Sequence, residues 1–189
     1  MKIGILGGSF DPIHNGHMQL AQVALKECNL DEVWLMPSGH SPHKDESGMT
    51  LAPQRFAMCQ LATENEKAII VSDFEIRKNE TSYTYRTMEQ LSVEYPEDTF
   101  YFIMGADSLD YFDHWKHPEI ICKHATLLVV NRDNYSIEYL SQKCNAIQML
   151  FPAQIRILNA KKVSVSSSEI RAQIKANKQP EGICEKVYG

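Results

Sequence analysis

The 189-residue chain contains neither GxxxxGK[ST] nor GxGxxG, so neither a P-loop nor a dinucleotide fingerprint is present. It also lacks CxxC. The five cysteines (Cys28, Cys59, Cys122, Cys144, Cys184) are odd in number and widely spaced, which points to reduced thiols rather than a disulfide framework or a zinc ribbon. There is no run of about 18 apolar residues and no charged segment leading into an apolar one, so nothing directs the chain into or across a membrane and a cytoplasmic location is expected. Positive charge is not clustered, and the net charge is −5, which argues against a nucleic-acid partner. HxxH occurs at His14 and His17, at His40 and His43, and at His114 and His117, but no pair has a Glu beside its first His as in HExxH, so a metal hydrolase is not indicated.

With 43% hydrophobic residues, the chain can bury a sizeable core in one compact domain spanning 1–189. Apolar runs at 2–6, 33–36, 68–71, 100–104, 126–130 and 155–158 read as strands, separated by amphipathic stretches at 16–28, 54–64, 84–95 and 137–149 that read as helices. This alternation predicts an α/β fold, a Rossmann-like doubly wound parallel sheet in three α/β/α layers, with right-handed crossovers. Residues 37–53 and 73–82 read as loops. Residues 183–188 look like a final helix cut at Gly189.

Directly after the first strand stands Gly7-Gly8-Ser9-Phe10-Asp11-Pro12-Ile13-His14-Asn15-Gly16-His17. Gly7 and Gly8 are expected to turn the backbone sharply and let an anion approach its amides. Asn15 is expected to cap the first helix, placing His17 in the first turn, where free N–H groups and the helix dipole attract phosphate; His14, just outside the cap, faces the same space. In open α/β sheets, ligands bind beyond the carboxyl ends of the strands, so the loops after the other strands should converge on this turn.

The segment from Gly7 to His17 resembles the first signature of the HxGH nucleotidyltransferases, GG[ST]FDPxHxGH, without a departure, and Ser166-Ser167-Ser168-Glu169-Ile170-Arg171 is similar to their second signature, SSTxIR, with Ser168 keeping the hydroxyl. The resemblance implies ATP contacts through Gly7, Gly8, Ser9, Phe10, Gly16, Gly105, Asp107, Arg132 and the Ser166–Ser168 turn, with Arg132-Asp133 standing where the family often has Arg-Pro. It implies catalytic roles for His14, His17 and Arg171. Gly105, Asp107 and Trp115 resemble an element of one branch, the adenylyltransferases acting on nicotinate mononucleotide. In that branch's likeness Trp115 stacks on the pyridine ring, Tyr83 and Thr84 receive its carboxylate, and His43 and Lys44 reach the mononucleotide phosphate.

Each of these has a plainer reading from the residues alone. Trp115 can be packing, residues 37–44 a solvated loop, Thr81 to Thr87 a helix cap, and Ser166 with Glu169 a capping box. Mg²⁺ is implied, held mainly by phosphates and water. The resemblance thus implies adenylyl transfer from ATP to nicotinate mononucleotide, with pantetheine-phosphate adenylyltransferase or a catalytically silent nucleotide sensor as alternatives. It leaves room for a homodimer.

Overall fold

A computed structural model describes residues 1–41, 47–132 and 134–188. Six strands, β1 (Lys2–Gly8), β2 (Glu32–Pro37), β3 (Ile69–Val71), β4 (Thr99–Gly105), β5 (Ala125–Asn131) and β6 (Ile155–Asn159), form one parallel sheet in the order β3-β2-β1-β4-β5-β6. The order reverses between β1 and β4, so loops leaving those two strands part and open a crevice at the carboxyl edge.

Alternate side chains along each strand go to opposite faces, and helices cover both. One face sends Ile3, Ile5, Phe102, Met104, Leu127 and Val129 against Met88 and Leu91 of α3 (Thr84–Glu94), Ile121 of α5 (Pro118–His124) and Leu140 and Ile147 of α6 (Ile137–Leu150). The other sends Leu6, Leu35, Ile103, Leu128 and Val130 against Leu20, Ala21 and Ala24 of α1 (Asn15–Glu27) and Cys59 of α2 (Ala52–Ala62). Two short helices, α4 (Ala106–Leu109) and α8 (Glu185–Tyr188), and α7 (Ser167–Lys175) complete the chain; Lys186 pairs with Glu64, tying α8 to the end of α2. Every strand read from the sequence is present. The helix α5 was not anticipated: it is only seven residues long, and its start signal is Pro118 at the first helical position after His117 in the left-handed region (φ 48°).

Two details of the first motif differ from expectation. Gly7 and Gly8 continue β1, and the chain turns after them, at Phe10 (φ 49°) and the cis Asp11–Pro12 peptide. The cap of α1 is His14, whose extended backbone and ring acceptor serve where Asn15 was expected; Asn15 is the first helical residue, and its N–H is bonded to the Gly182 carbonyl (2.8 Å). All five cysteines are free thiols, and among the described residues no helix is long and apolar enough to cross a membrane.

Candidate active site

The HxGH spacing builds a reciprocal cap. Nδ1 of His14 accepts the Gly16 N–H (3.0 Å), and Nδ1 of His17 accepts the His14 N–H (3.2 Å). Because both Nδ1 atoms are acceptors, both rings carry their proton on Nε2. The rings stack at 3.7 Å between centroids, and Phe10 packs edge-on against His17 at 4.9 Å. Two imidazole donors are thereby held side by side at the positive end of α1.

His14 is buried, and that burial, reinforced by the nearby Arg132 guanidinium, lowers its pKa from 6.5 to about 4. It is therefore a neutral donor at physiological pH. A depressed histidine pKa contributes stability that is present above about pH 6.5 and is lost as the pH falls toward 4, about 3 kcal/mol in full. Wild type should accordingly lose about 2–3 kcal/mol more than H14N between pH 7 and pH 4.5 in urea unfolding; equal losses would mean that His14 titrates normally.

Gly16 is required by contact. A Cβ there would lie 2.9 Å from Nη1 of Arg132 and 2.9 Å from Cε1 of His14. G16A should leave the melting temperature nearly unchanged, since Ala favours the helix by about 1 kcal/mol, while lowering kcat/KM at least about tenfold by displacing His14 and Arg132. At Gly7, by contrast, a Cβ would meet nothing within 4 Å, so the protein itself leaves that space open.

A cavity of about 270 Å³ opens there, lined by Gly7, Gly8, Ser9, Ser38, Ser41, Glu75, Ser82, Thr84, Phe102, Ser108, Tyr111 and Trp115. Five expected site residues (Gly7, Gly8, Ser9, Thr84, Trp115) thus share one wall-to-wall space. Trp115 combines both of its readings, since it packs edge-on to Phe102 (5.9 Å) and tilted on Phe112 (5.4 Å) while lining the cavity. A larger cavity, about 410 Å³, lies at the opposite end of the sheet beside Asp98, Thr99 and His124, away from every candidate residue.

The remaining candidates distribute around this center. Tyr83 caps α3 without a side-chain hydrogen bond, and its ring lies 4.6 Å from the Lys116 ammonium in a shallow neighbouring depression that Glu75, Ser82 and Arg86 also line. Gly105 ends β4, Asp107 is exposed on α4, and the Tyr135 phenol donates to the neighbouring Asp110 (3.3 Å), its pKa pushed up to about 12 by burial and by the charges of Asp107 and Asp110.

At α7, Ser166 Oγ accepts the Glu169 N–H (3.2 Å), which is half of the expected capping box. Ser167 Oγ donates to the Pro12 carbonyl (2.8 Å), and Arg171 donates to the Asp11 carbonyl (2.7 Å) and to Ser168 Oγ (3.3 Å). The second motif is therefore docked onto the turn of the first. His43 and Lys44, and Asp133 of the Arg132-Asp133 departure, lie outside the described residues. His114 and His117 pair separately, with Asp113 (3.4 Å) and Glu119 (3.0 Å).

Two residues that sequence reasoning passed over organise the cavity. Arg55 of α2, 1% exposed, donates through Nε to the Thr50 carbonyl (2.9 Å), through Nη1 to Ser9 (2.7 Å) and through Nη2 to Ser38 (2.7 Å) and Gly39 (3.3 Å). Its signal was a charge one turn before Cys59, on a helix face that is otherwise apolar. Glu75, in the loop read at 73–82, carried no sequence signal.

Together the doubly wound sheet, the paired donors at the start of α1 and the cavity at the switch point are those of a nucleotidyltransferase. The chain belongs to the cytidylyltransferase-like family, whose sequence model matches residues 5–173. Similar relatives within it are nicotinate-nucleotide adenylyltransferases. One, from Clostridium botulinum (strain Okra / Type B1) and named "Probable nicotinate-nucleotide adenylyltransferase", is 39% identical over 176 residues, 93% of this chain and 88% of the relative. A Clostridium novyi protein of the same name is 37% identical over 174 residues, 92% and 87% of the two chains. Among solved structures, the Plasmodium falciparum nicotinic acid mononucleotide adenylyltransferase complexed with NaAD superposes with a TM-score of 0.77 at 24% identity, covering 94% of this chain and 86% of that one, a likeness of fold.

Proposed function

We propose that the protein transfers the adenylyl group of ATP to nicotinate mononucleotide, giving deamido-NAD and pyrophosphate, a step of NAD biosynthesis. The observation that carries this reading is the continuity of one cavity from the Gly7–Ser9 backbone beside the paired histidines to Thr84 and Trp115. The first end suits phosphates, and the second suits a flat ring with a polar substituent near a helix start. The relatives named above support the same substrate.

In this reading a phosphate oxygen of the mononucleotide attacks the α-phosphorus of ATP, and pyrophosphate leaves in line. Such chemistry depends on positioning and on neutralising charge rather than on a nucleophilic side chain. His14 and His17 direct their Nε2–H groups at the α-phosphate, Arg132 adds positive charge beside His14, and Arg171 with the α7 amides receives the leaving pyrophosphate. Asp107 takes the nucleotide sugar, and Lys44, by resemblance, the mononucleotide phosphate.

The donors here are N–H groups suited to phosphates, and among the described residues no three His, Cys, Asp or Glu side chains gather in a way that could hold a metal. Mg²⁺ would accordingly be ligated by phosphate oxygens and water, and it would supply charge neutralisation on the phosphates.

The test is pyrophosphate release from Mg-ATP with nicotinate mononucleotide, nicotinamide mononucleotide and phosphopantetheine offered separately. Turnover chiefly with the first is expected. Equal use of the amide removes the carboxylate argument, release only with phosphopantetheine assigns the chain to pantetheine-phosphate adenylyl transfer, and ATP binding without release makes it a nucleotide sensor.

A further inference from the structure

The mechanism above leaves Glu75 unused, although this buried acidic residue, 9% exposed, lines the substrate cavity with Thr84 and Trp115. It cannot swing out of that wall. The Thr87 hydroxyl on α3 donates to its Oε1 (2.8 Å), and Ser82 hydrogen-bonds it from the preceding turn. Ser82 Oγ is itself the acceptor for the Gly39 N–H (3.1 Å), which ties that turn to the loop after β2. The loop after β2 is pressed against the same residue, since a Cβ on Gly39 would stand 3.0 Å from the Glu75 carbonyl oxygen.

Ionisable groups near it are Lys78, Glu80, Tyr83 and Arg86 in the adjoining depression and Tyr111 in the cavity wall, while Arg86 is itself paired with Glu80 (3.8 Å). Burial dominates over the Thr87 and Ser82 hydrogen bonds and the Lys78 charge, raising the carboxyl from 4.5 to about 7. A second carboxylate placed in one small, partly dry cavity disfavours ionisation of the first.

We propose that Glu75 is a specificity-determining residue that takes up one proton from solvent as a pyridine carboxylate enters the cavity. The neutral acid can then donate its O–H toward the ring carboxylate, whereas the ionised form repels it and tolerates an uncharged amide. Preference for the acid substrate is therefore set by the protonation state of Glu75. This rests on the proposed reaction, in which the pyridine ring lies between Trp115 and Thr84.

The deciding experiment is the KM for nicotinate and for nicotinamide mononucleotide in pyrophosphate release at saturating Mg-ATP, from pH 6.5 to 8.5, for wild type and E75Q. In wild type the KM for the acid should rise about tenfold from pH 7.5 to 8.5 while the KM for the amide stays flat, and in E75Q the acid profile should flatten as well. Calorimetry of wild type with nicotinate mononucleotide at pH 8, in buffers of different ionisation enthalpy, should show uptake of about one proton. The ligand's phosphate, whose second pKa is about 6, contributes almost nothing at that pH. This measurement decides the matter even if E75Q does not fold. Turnover of the acid with a flat KM and no proton uptake overturns the role of Glu75 and leaves the reaction standing; absence of both binding and turnover of the acid overturns both.

Discussion

Replacing His17 with Ala should lower kcat about 10²–10³-fold, with a smaller change in the KM for either substrate. The size follows from what His17 supplies: an Nε2–H held in place by its own Nδ1 bond to the His14 amide and by the edge of Phe10. A donor fixed before the reaction and aimed where charge develops is worth about 3–4 kcal/mol of transition-state stabilisation, because no reorganisation is needed as the bond to the leaving group breaks. The structural cost is small, since the His14 N–H at the helix start can find water once its acceptor is gone. H14A should lose turnover comparably, and in addition about 1 kcal/mol of stability, because the Gly16 amide loses its cap. Steady-state kinetics beside thermal unfolding separate the two. A fall in kcat of less than tenfold for H17A would remove its Nε2–H from the transition state.

The parts of this site that could be read from the chain are those in which one short segment does all the work. From Gly7 to His17, strand, turn, cap and donors follow one another within eleven residues, and periodicity alone places β1 and α1 on either side. The two errors inside it were local: the turn falls at Phe10 to Pro12 rather than at Gly7-Gly8, and His14 displaces Asn15 as the cap because an imidazole Nδ1 reaches the helix amides, a role that cap preferences assign to shorter side chains. The parts in which distant segments meet were legible only through the family resemblance and the rule that ligands bind beyond the carboxyl ends of the strands. Thr84 and Trp115 belong to the same cavity as Gly8 only because the sheet order brings the ends of β1 and β4 together. Likewise, only the resemblance gave Arg171 a role in the sequence, and the structure supplies its contact, the guanidinium resting on the Asp11 carbonyl. Glu75 was illegible, and Arg55 was marked only by its place on an apolar helix face, since a buried charge is recognised by its partners, and these lie up to 46 residues away.

R55A should destabilise the protein by about 3–5 kcal/mol, the largest stability effect expected of a polar substitution here. Its guanidinium reaches four carbonyl oxygens on three segments: Thr50 before α2, Ser9 in the turn after β1, and Ser38 and Gly39 after β2. Truncation leaves those oxygens, buried or partly buried, without charge-assisted donors, which is the costly half of hydrogen-bond energetics. In a chain of this length each kcal/mol corresponds to about 2–4 °C, so a fall of about 10 °C in melting temperature is expected. R55K should recover only part of it, because one ammonium with three donors cannot reproduce a planar fork serving three segments.

The kinetic consequence has a definite direction. Ser9, at the phosphate end, and Ser38 both line the substrate cavity, so loosening their common tie should raise the KM for ATP and for the mononucleotide more than it lowers kcat, His14 and His17 being held by their own cap. A variant that kept its melting temperature within 2 °C would show that the four carbonyls are satisfied without the guanidinium. One that lost kcat rather than KM would mean that Arg55 also holds the histidine donors in place, through the turn that leads from Ser9 to His14.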